Sequence, residues 1–146
     1  MRAGQYAVVD GVEYRAKYLA GKDDIVLMIA SGQEPPAGVV PERYFDGTLQ
    51  ATVPRSRASR LFEVETWALL HGRFPVQVHV VNPDGTVALE APRVGFTPVG
   101  RPVRDEQNNV VVPPGLSGRP GELSFWGGVR PDELSDVQEM VREVRG

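Results

Sequence analysis

Apolar and polar residues alternate over two well-separated stretches of the chain. Val12, Tyr14, Ala16 and Tyr18 are interleaved with Glu13, Arg15 and Lys17, and Phe74, Val76, Val78 and Val80 with Pro75, Gln77 and His79. A period of two marks a strand with one buried face, because successive side chains leave opposite faces of a sheet. A slip of one residue would turn the whole apolar set to water, so the register is well specified. Ile25-Val26-Leu27-Met28-Ile29 is apolar at every position, which predicts a central strand covered on both faces. Ile25, Leu27, Val76, Val78 and Leu89 are the expected core.

Each alternating stretch follows a similar hexapeptide. Tyr6-Ala7-Val8-Val9-Asp10-Gly11 and Trp67-Ala68-Leu69-Leu70-His71-Gly72 share an aromatic, an alanine, two aliphatics, a polar residue and a glycine, in that order. Each reads as a strand ending in a sharp hairpin turn, where glycine tolerates positive φ. Further turns follow at Ala20-Gly21-Lys22-Asp23-Asp24 and Asn82-Pro83-Asp84-Gly85, and then third strands at 25–29 and 86–90. The units close on Val53-Pro54-Arg55-Ser56 through Leu61 and on Val129-Arg130-Pro131-Asp132 through Val137. The ordered recurrence predicts an internal repeat, 1–61 and 62–146, within one domain spanning 1–146.

The end of the chain carries two conflicting signals. Val137, Met140, Val141 and Val144 fit the i, i+3, i+4, i+7 stripe of a helix, and Pro131-Asp132-Glu133 is a good helix opening. The repeat demands a strand at the same place. A short helical turn at 131–136 is expected, with 137–144 open between a C-terminal helix and a strand. The segment 92–124 is rich in proline and glycine, and Asp105-Glu106-Gln107-Asn108-Asn109 has no apolar anchor. It is expected to be the most mobile stretch of the chain, cut first by limited proteolysis near Arg101, Arg104 or Arg119, with one edge strand at Val110-Val111-Val112.

Composition changes this picture little. At 146 residues, 41% of them hydrophobic, the chain suits a single globule. It has no cysteine, which removes disulfides, thiolate metal sites and a cysteine nucleophile, and fits a reducing compartment. A net charge of −3 gives no general attraction to nucleic acid. No apolar run approaches the roughly 20 residues that span a bilayer, and no signal peptide is evident, so the expected location is the cytoplasm.

Candidate chemistry is sparse. No phosphate-binding glycine loop and no catalytic triad spacing occurs. His71 and His79 are the only histidines and stand apart in sequence, which argues against a metal centre and against an enzyme. No cofactor is expected. Arg55, Arg57 and Arg60 form a basic turn able to grip a phosphate or an acidic partner, against the plainer reading of a solvated turn. Its counterpart is acidic, with Asp132, Glu133, Asp136 and Glu139, so the two turns are candidates to pair with each other or to present separate contact faces. Phe125-Trp126-Gly127-Gly128 sets two large aromatics beside two flexible glycines, with Trp126 either plugging a barrel end or serving as an interface hot spot. Tyr44-Phe45-Asp46-Gly47 is a weaker case of the same kind.

The Tyr-Ala-x-x-x-Gly-x-x-Tyr unit of the first copy, the aliphatic third strand and the closing Val-Pro-x-Ser resemble small actinobacterial proteins of unassigned function, some of them immunity partners of secreted polymorphic toxins; the second copy departs, with Phe74-Pro75 at the aromatic position and Arg130-Pro131 at the close. The hairpin units are similar to those of SH3-like barrels. The resemblance implies a mostly β fold of two tandem, diverged β-meander half-barrels packed as one domain. It also implies a non-catalytic role in binding another protein, a toxin being the concrete case. It carries over no functional residue; the expected contact residues, Arg55, Arg57, Arg60, Phe125 and Trp126, rest on the basic turn and the aromatic pair themselves. The alternative is a ligand-, peptide- or nucleic-acid-binding SH3-like module.

Overall fold

The computed structural model describes residues 1–19, 21–45, 47–82, 84–118 and 122–144. These residues form a mostly β structure with ten strands: β1 (Gly4–Val9), β2 (Val12–Lys17), β3 (Asp24–Ile29), β4 (Glu42–Arg43), β5 (Leu49–Pro54), β6 (Ala58–Leu70), β7 (Phe74–Val81), β8 (Val87–Pro92), β9 (Ser124–Val129) and β10 (Leu134–Glu143). Single 3-10 turns, Arg55–Arg57 and Pro131–Glu133, precede β6 and β10. By compactness the chain divides into two units, Met1–Ala3 with Glu65–Met140, and Gly4–Val64 with Val141–Gly146.

In the 4–64 unit the strands run in the order β4-β5-β3-β2-β1, with the first half of β6 beside β1, and neighbours are antiparallel. The turn from β1 to β2 holds Asp10 at φ 53° and Gly11 at φ 76°. Left-handed backbone at both turn residues matches the twist of the flanking strands. The core gathers Val9, Tyr14, Ile25, Leu27 and Val53. Tyr18 belongs to the same core, and its hydroxyl donates to the carbonyl of Phe62 at 2.9 Å. Burial, aided by the nearby Glu63 carboxylate, pushes the Tyr18 phenol up to about 12.

In the 65–140 unit the second half of β6 pairs with β7, β7 with β8 and β8 with β9, all antiparallel. Beyond this path, β10 pairs with β6. Its hairpin turn repeats the earlier geometry, with His71 at φ 52° and Gly72 at φ 67°. Leu70, Val76, Leu89, Phe125 and Val129 fill the core. All five residues expected as core (Ile25, Leu27, Val76, Val78 and Leu89) are buried.

A row of opposed residues can be followed across each unit. Directly opposed residues give the row Tyr6–Arg15–Met28–Gln50 in one. They give Trp67–Gln77–Glu90–Trp126 in the other.

Several expectations need correction. The helical turn expected at 131–136 is confined to Pro131–Glu133, and of the two alternatives left open for 137–144 the strand is adopted, β10 running to Glu143. Three of the four apolar residues of the helical stripe are β-branched, and β6 offers a hydrogen-bonding edge, used when the Val144 amide donates to the Leu61 carbonyl at 2.9 Å. β3 is central between β2 and β5 but not covered on both faces, since Val26 and Met28 remain partly exposed. Val110-Val111-Val112 forms no strand; Val110 makes one isolated bridge with Arg104.

Parts of the 92–124 segment have apolar anchors. Val103, Val110 and Val111 pack on the core and Leu116 enters it. The Asp105 carboxylate caps its own turn by accepting from the amides of Gln107 and Asn109, both at 2.9 Å. Arg119, one of the expected cleavage points, lies outside the described residues, as do Ala20 and Pro83 of the expected turns and Asp46 of the Tyr44-Phe45-Asp46-Gly47 stretch.

Candidate functional site

Strand alternation decides which side chains of β8 and β9 face outward. Val87, Leu89 and Ala91 point into the core, which turns Glu90 out; Phe125 and Val129 point in, which turns Trp126 out. Glu90 and Trp126 stand directly opposite each other. The register shift between Val78 and Val80 on β7 is a bulge, a feature that re-aims side chains locally. There His79 lies against both neighbours: its Nε2 is 2.7 Å from Glu90 Oε2, and its ring stacks on the Trp126 indole at 5.4 Å and 26°. The Ser124 hydroxyl donates to the other carboxylate oxygen, Glu90 Oε1, at 2.7 Å. One carboxylate thus fixes a hydroxyl on one side and an imidazole on the other, and the imidazole supports an indole that is 49% exposed.

The backbone of Trp126 is equally constrained. Its N–H donates to the Ser117 carbonyl at 2.8 Å and its carbonyl accepts from the Ser117 amide at 2.9 Å, an isolated bridge on the outer edge of β9. The glycine after it serves close approach rather than flexibility. A Cβ on Gly127 would lie 2.5 Å from the Gly115 carbonyl oxygen and 2.6 Å from Leu116 Cδ2. Only glycine lets the 115–116 backbone cross there.

The order of groups limits the chemistry. A nucleophilic serine needs the imidazole next to its hydroxyl, with the carboxylate behind. Here the carboxylate sits in the middle, so the network orients His79 and Trp126 instead of activating Ser124. Among the described residues, no group of three or more His, Asp and Glu side chains is placed to hold a metal ion.

The other expected contact residues divide. Phe125 is 2% exposed and belongs to the core, because it takes the inward position on β9, so it is withdrawn from the contact surface. The three arginines are engaged in their own unit. Arg55 donates to the Leu19 carbonyl at 3.2 Å and lies 5.7 Å from the Tyr18 ring. Arg57 pairs with Asp10 at 2.8 Å. Arg60 lies over Phe62 at 4.1 Å and bonds Glu143, which holds that carboxyl below its usual range.

On the acidic turn Glu133 accepts from the Arg130 amide at 2.7 Å. Glu139 accepts from the Arg2 backbone and Nε at 2.8 and 3.1 Å. His71 lies 3.6 Å from Glu133 and does not join the His79 cluster. Phe45 protrudes from the β4–β5 hairpin, fully exposed, with no comparable polar frame around it in the described residues.

Sequence reasoning singled out Trp126 and noted His79, but missed Glu90 and Ser124. They come together only through the β7–β8–β9 register. The inward position of Phe125 was readable from its even spacing with Val129.

Searches for similar proteins return no matching family model, no matching curated protein and no matching solved structure. Among the described residues, no helix is long and apolar enough to cross a membrane.

Proposed function

We propose that this protein is a non-catalytic binding module that holds another protein on the outer face of β7, β8 and β9, with Trp126 as the anchor. The observation that carries the reading is the half-exposed indole held by His79, which Glu90 and Ser124 hold in turn. Leaving a large aromatic in water is unfavourable, and ordering three polar side chains around it costs conformational entropy. Both make sense if a partner covers the ring. A tryptophan pre-set in one orientation and rimmed by polar groups has the character of an interface hot spot.

A protein partner suits the charge pattern better than nucleic acid. The net charge is −3, and the arginines of the basic turn are committed to internal contacts. The absence of cysteine is consistent with a cytoplasmic setting. We read the two units as diverged copies of one ancestral meander, of which the second acquired the contact face. The corresponding cross-strand rows support this reading, because Glu90 and Trp126 stand where the other unit has Met28 and Gln50.

The test uses wild-type protein and Trp126→Ala as baits in extract of the native cell, with a photo-crosslinking amino acid at position 126 in a third sample. A protein captured by wild type, crosslinked from position 126 and lost with Trp126→Ala at unchanged melting temperature supports the reading. With that partner purified, Trp126→Ala should cost at least about 2 kcal/mol of binding. Equal capture by wild type and Trp126→Ala rejects it.

A further inference from the structure

Each phenylalanine of the 65–140 unit has an arginine of the same unit laid over its ring. Arg73 lies 5.1 Å from the centre of the Phe74 ring, Arg93 4.1 Å from that of Phe125 and Arg101 4.0 Å from that of Phe96. The attraction is electrostatic, between a cation and the negative face of the ring, and the indole of tryptophan is its best host. Trp126 nevertheless carries no cation over its ring among the described residues. Its ring neighbour there is His79, stacked at 5.4 Å and 26°. A stacked neighbour covers one face of a ring, and the indole, 49% exposed, keeps surface open to water.

The charge of the surroundings favours a cation on that surface. Glu90 stands directly opposite Trp126 on β8. With its carboxylate ionised, the Glu90–His79 pair is neutral or negative in total, whichever form the imidazole takes. Glu122, just before β9, is exposed and enters no ion pair among the described residues. The net charge of −3 belongs wholly to this unit. Residues 1–3 with 65–140 hold ten acidic and seven basic residues, whereas 4–64 with 141–146 hold nine of each.

We propose that the partner presents an arginine to Trp126, its guanidinium stacked flat on the indole face that His79 leaves open. A planar, weakly hydrated cation lies against an aromatic ring better than a compact, strongly hydrated ammonium does. Tryptophan and arginine are also the residues that concentrate at interface hot spots. The negative unit draws the cation in, and the indole selects its shape. This proposal rests on the reading of Trp126 as the anchor and goes further by naming what the anchor holds.

The probe is an acetylated, amidated hexapeptide of alternating arginine and glycine, added to the isotope-labelled full chain, with lysine and citrulline versions beside it. Citrulline keeps the planar shape and removes the charge. The indole N–H signal of Trp126, assigned by its loss in Trp126→Phe, should shift with the arginine peptide. Binding should be about fivefold weaker with citrulline, and weaker also with lysine. Trp126→Leu keeps an apolar surface but no ring and should lose the response. Trp126→Phe, read at the Gly127 amide, should retain part of it. Absence of any shift at millimolar arginine peptide, shifts confined to other residues, or equal binding of the citrulline peptide would overturn the proposal. The second arm is the partner crosslinked from position 126, where an arginine is expected beside the crosslinked residue, its replacement by glutamine weakening binding. A crosslinked contact without arginine overturns this proposal and leaves the Trp126 anchor standing, whereas equal capture by wild type and Trp126→Ala overturns the anchor itself.

Discussion

Phe125 and Trp126 are adjacent in the chain and take opposite sides of β9, and the difference follows from the two-residue period alone. The same parity makes Leu27 a sensitive core position, fully buried among Tyr14, Ile25 and Val53. Leu27→Ala should lower stability by about 2–5 kcal/mol in denaturant melts, through lost burial and the cavity left behind. Tyr18 gives a pH prediction. Its phenol holds its proton more tightly in the folded chain, up to about 12, than in the unfolded chain, near 10. The stability it supplies is intact below about pH 10 and is lost as the pH rises toward 12, because unfolding then releases a proton. Stability curves measured over that range should slope downward, and Tyr18→Phe should flatten the slope. An unchanged slope would mean that burial does not raise the Tyr18 phenol. These residues were legible in the sequence; the Glu90–Ser124 pair was not, because no local pattern relates positions 34 apart.

At the scale of elements, β1, β2, β3, β6, β7 and β8 could be read from alternation and from the glycine turns, whereas β5 and β9 were passed over as closing turns. β10 was ambiguous for a physical reason: Val137, Met140, Val141 and Val144 satisfy helical spacing, and the choice was made by β6, a partner distant in sequence. The 92–124 segment hid its anchors in the same way. Val103, Val110, Val111 and Leu116 are spread among prolines and form no periodic pattern, yet they share the core of the 65–140 unit. Gly127 is the point at which β9 depends on that segment. Gly127→Ala should destabilise the protein by about 1–3 kcal/mol, the usual cost of forcing a methyl into filled space. It should also speed tryptic cleavage at Arg104 by loosening residues 115–117. Unchanged melting and cleavage would show that the crossing backbone can yield.

At the scale of the molecule, the proposal that the two units are diverged copies sets up an internal control. Substitutions at the outer face of the 65–140 unit, Glu90→Gln and Trp126→Ala, should abolish capture of the partner. Met28→Ala and Gln50→Ala, at the matching places of the other unit, should leave capture intact in the same assay. Equal effects in both would remove the argument that one copy alone acquired the contact face. A β-rich chain built of hairpin units was readable from the sequence, because each hairpin announces itself locally. The assembly of compact units from distant segments was not, since it depends on which edge the end of β10 finds.

That last pairing bears on how the protein is made. Arg60 and Glu143, bonded within one compact unit, are 83 residues apart in the chain. At about 5–20 residues per second, a ribosome needs on the order of 4–16 s to bridge that interval. Throughout it, the Leu61 stretch of β6 waits with one edge unpaired. A nascent chain stalled or cleaved before Val141 would carry that sticky edge permanently, and would be a natural client for chaperones.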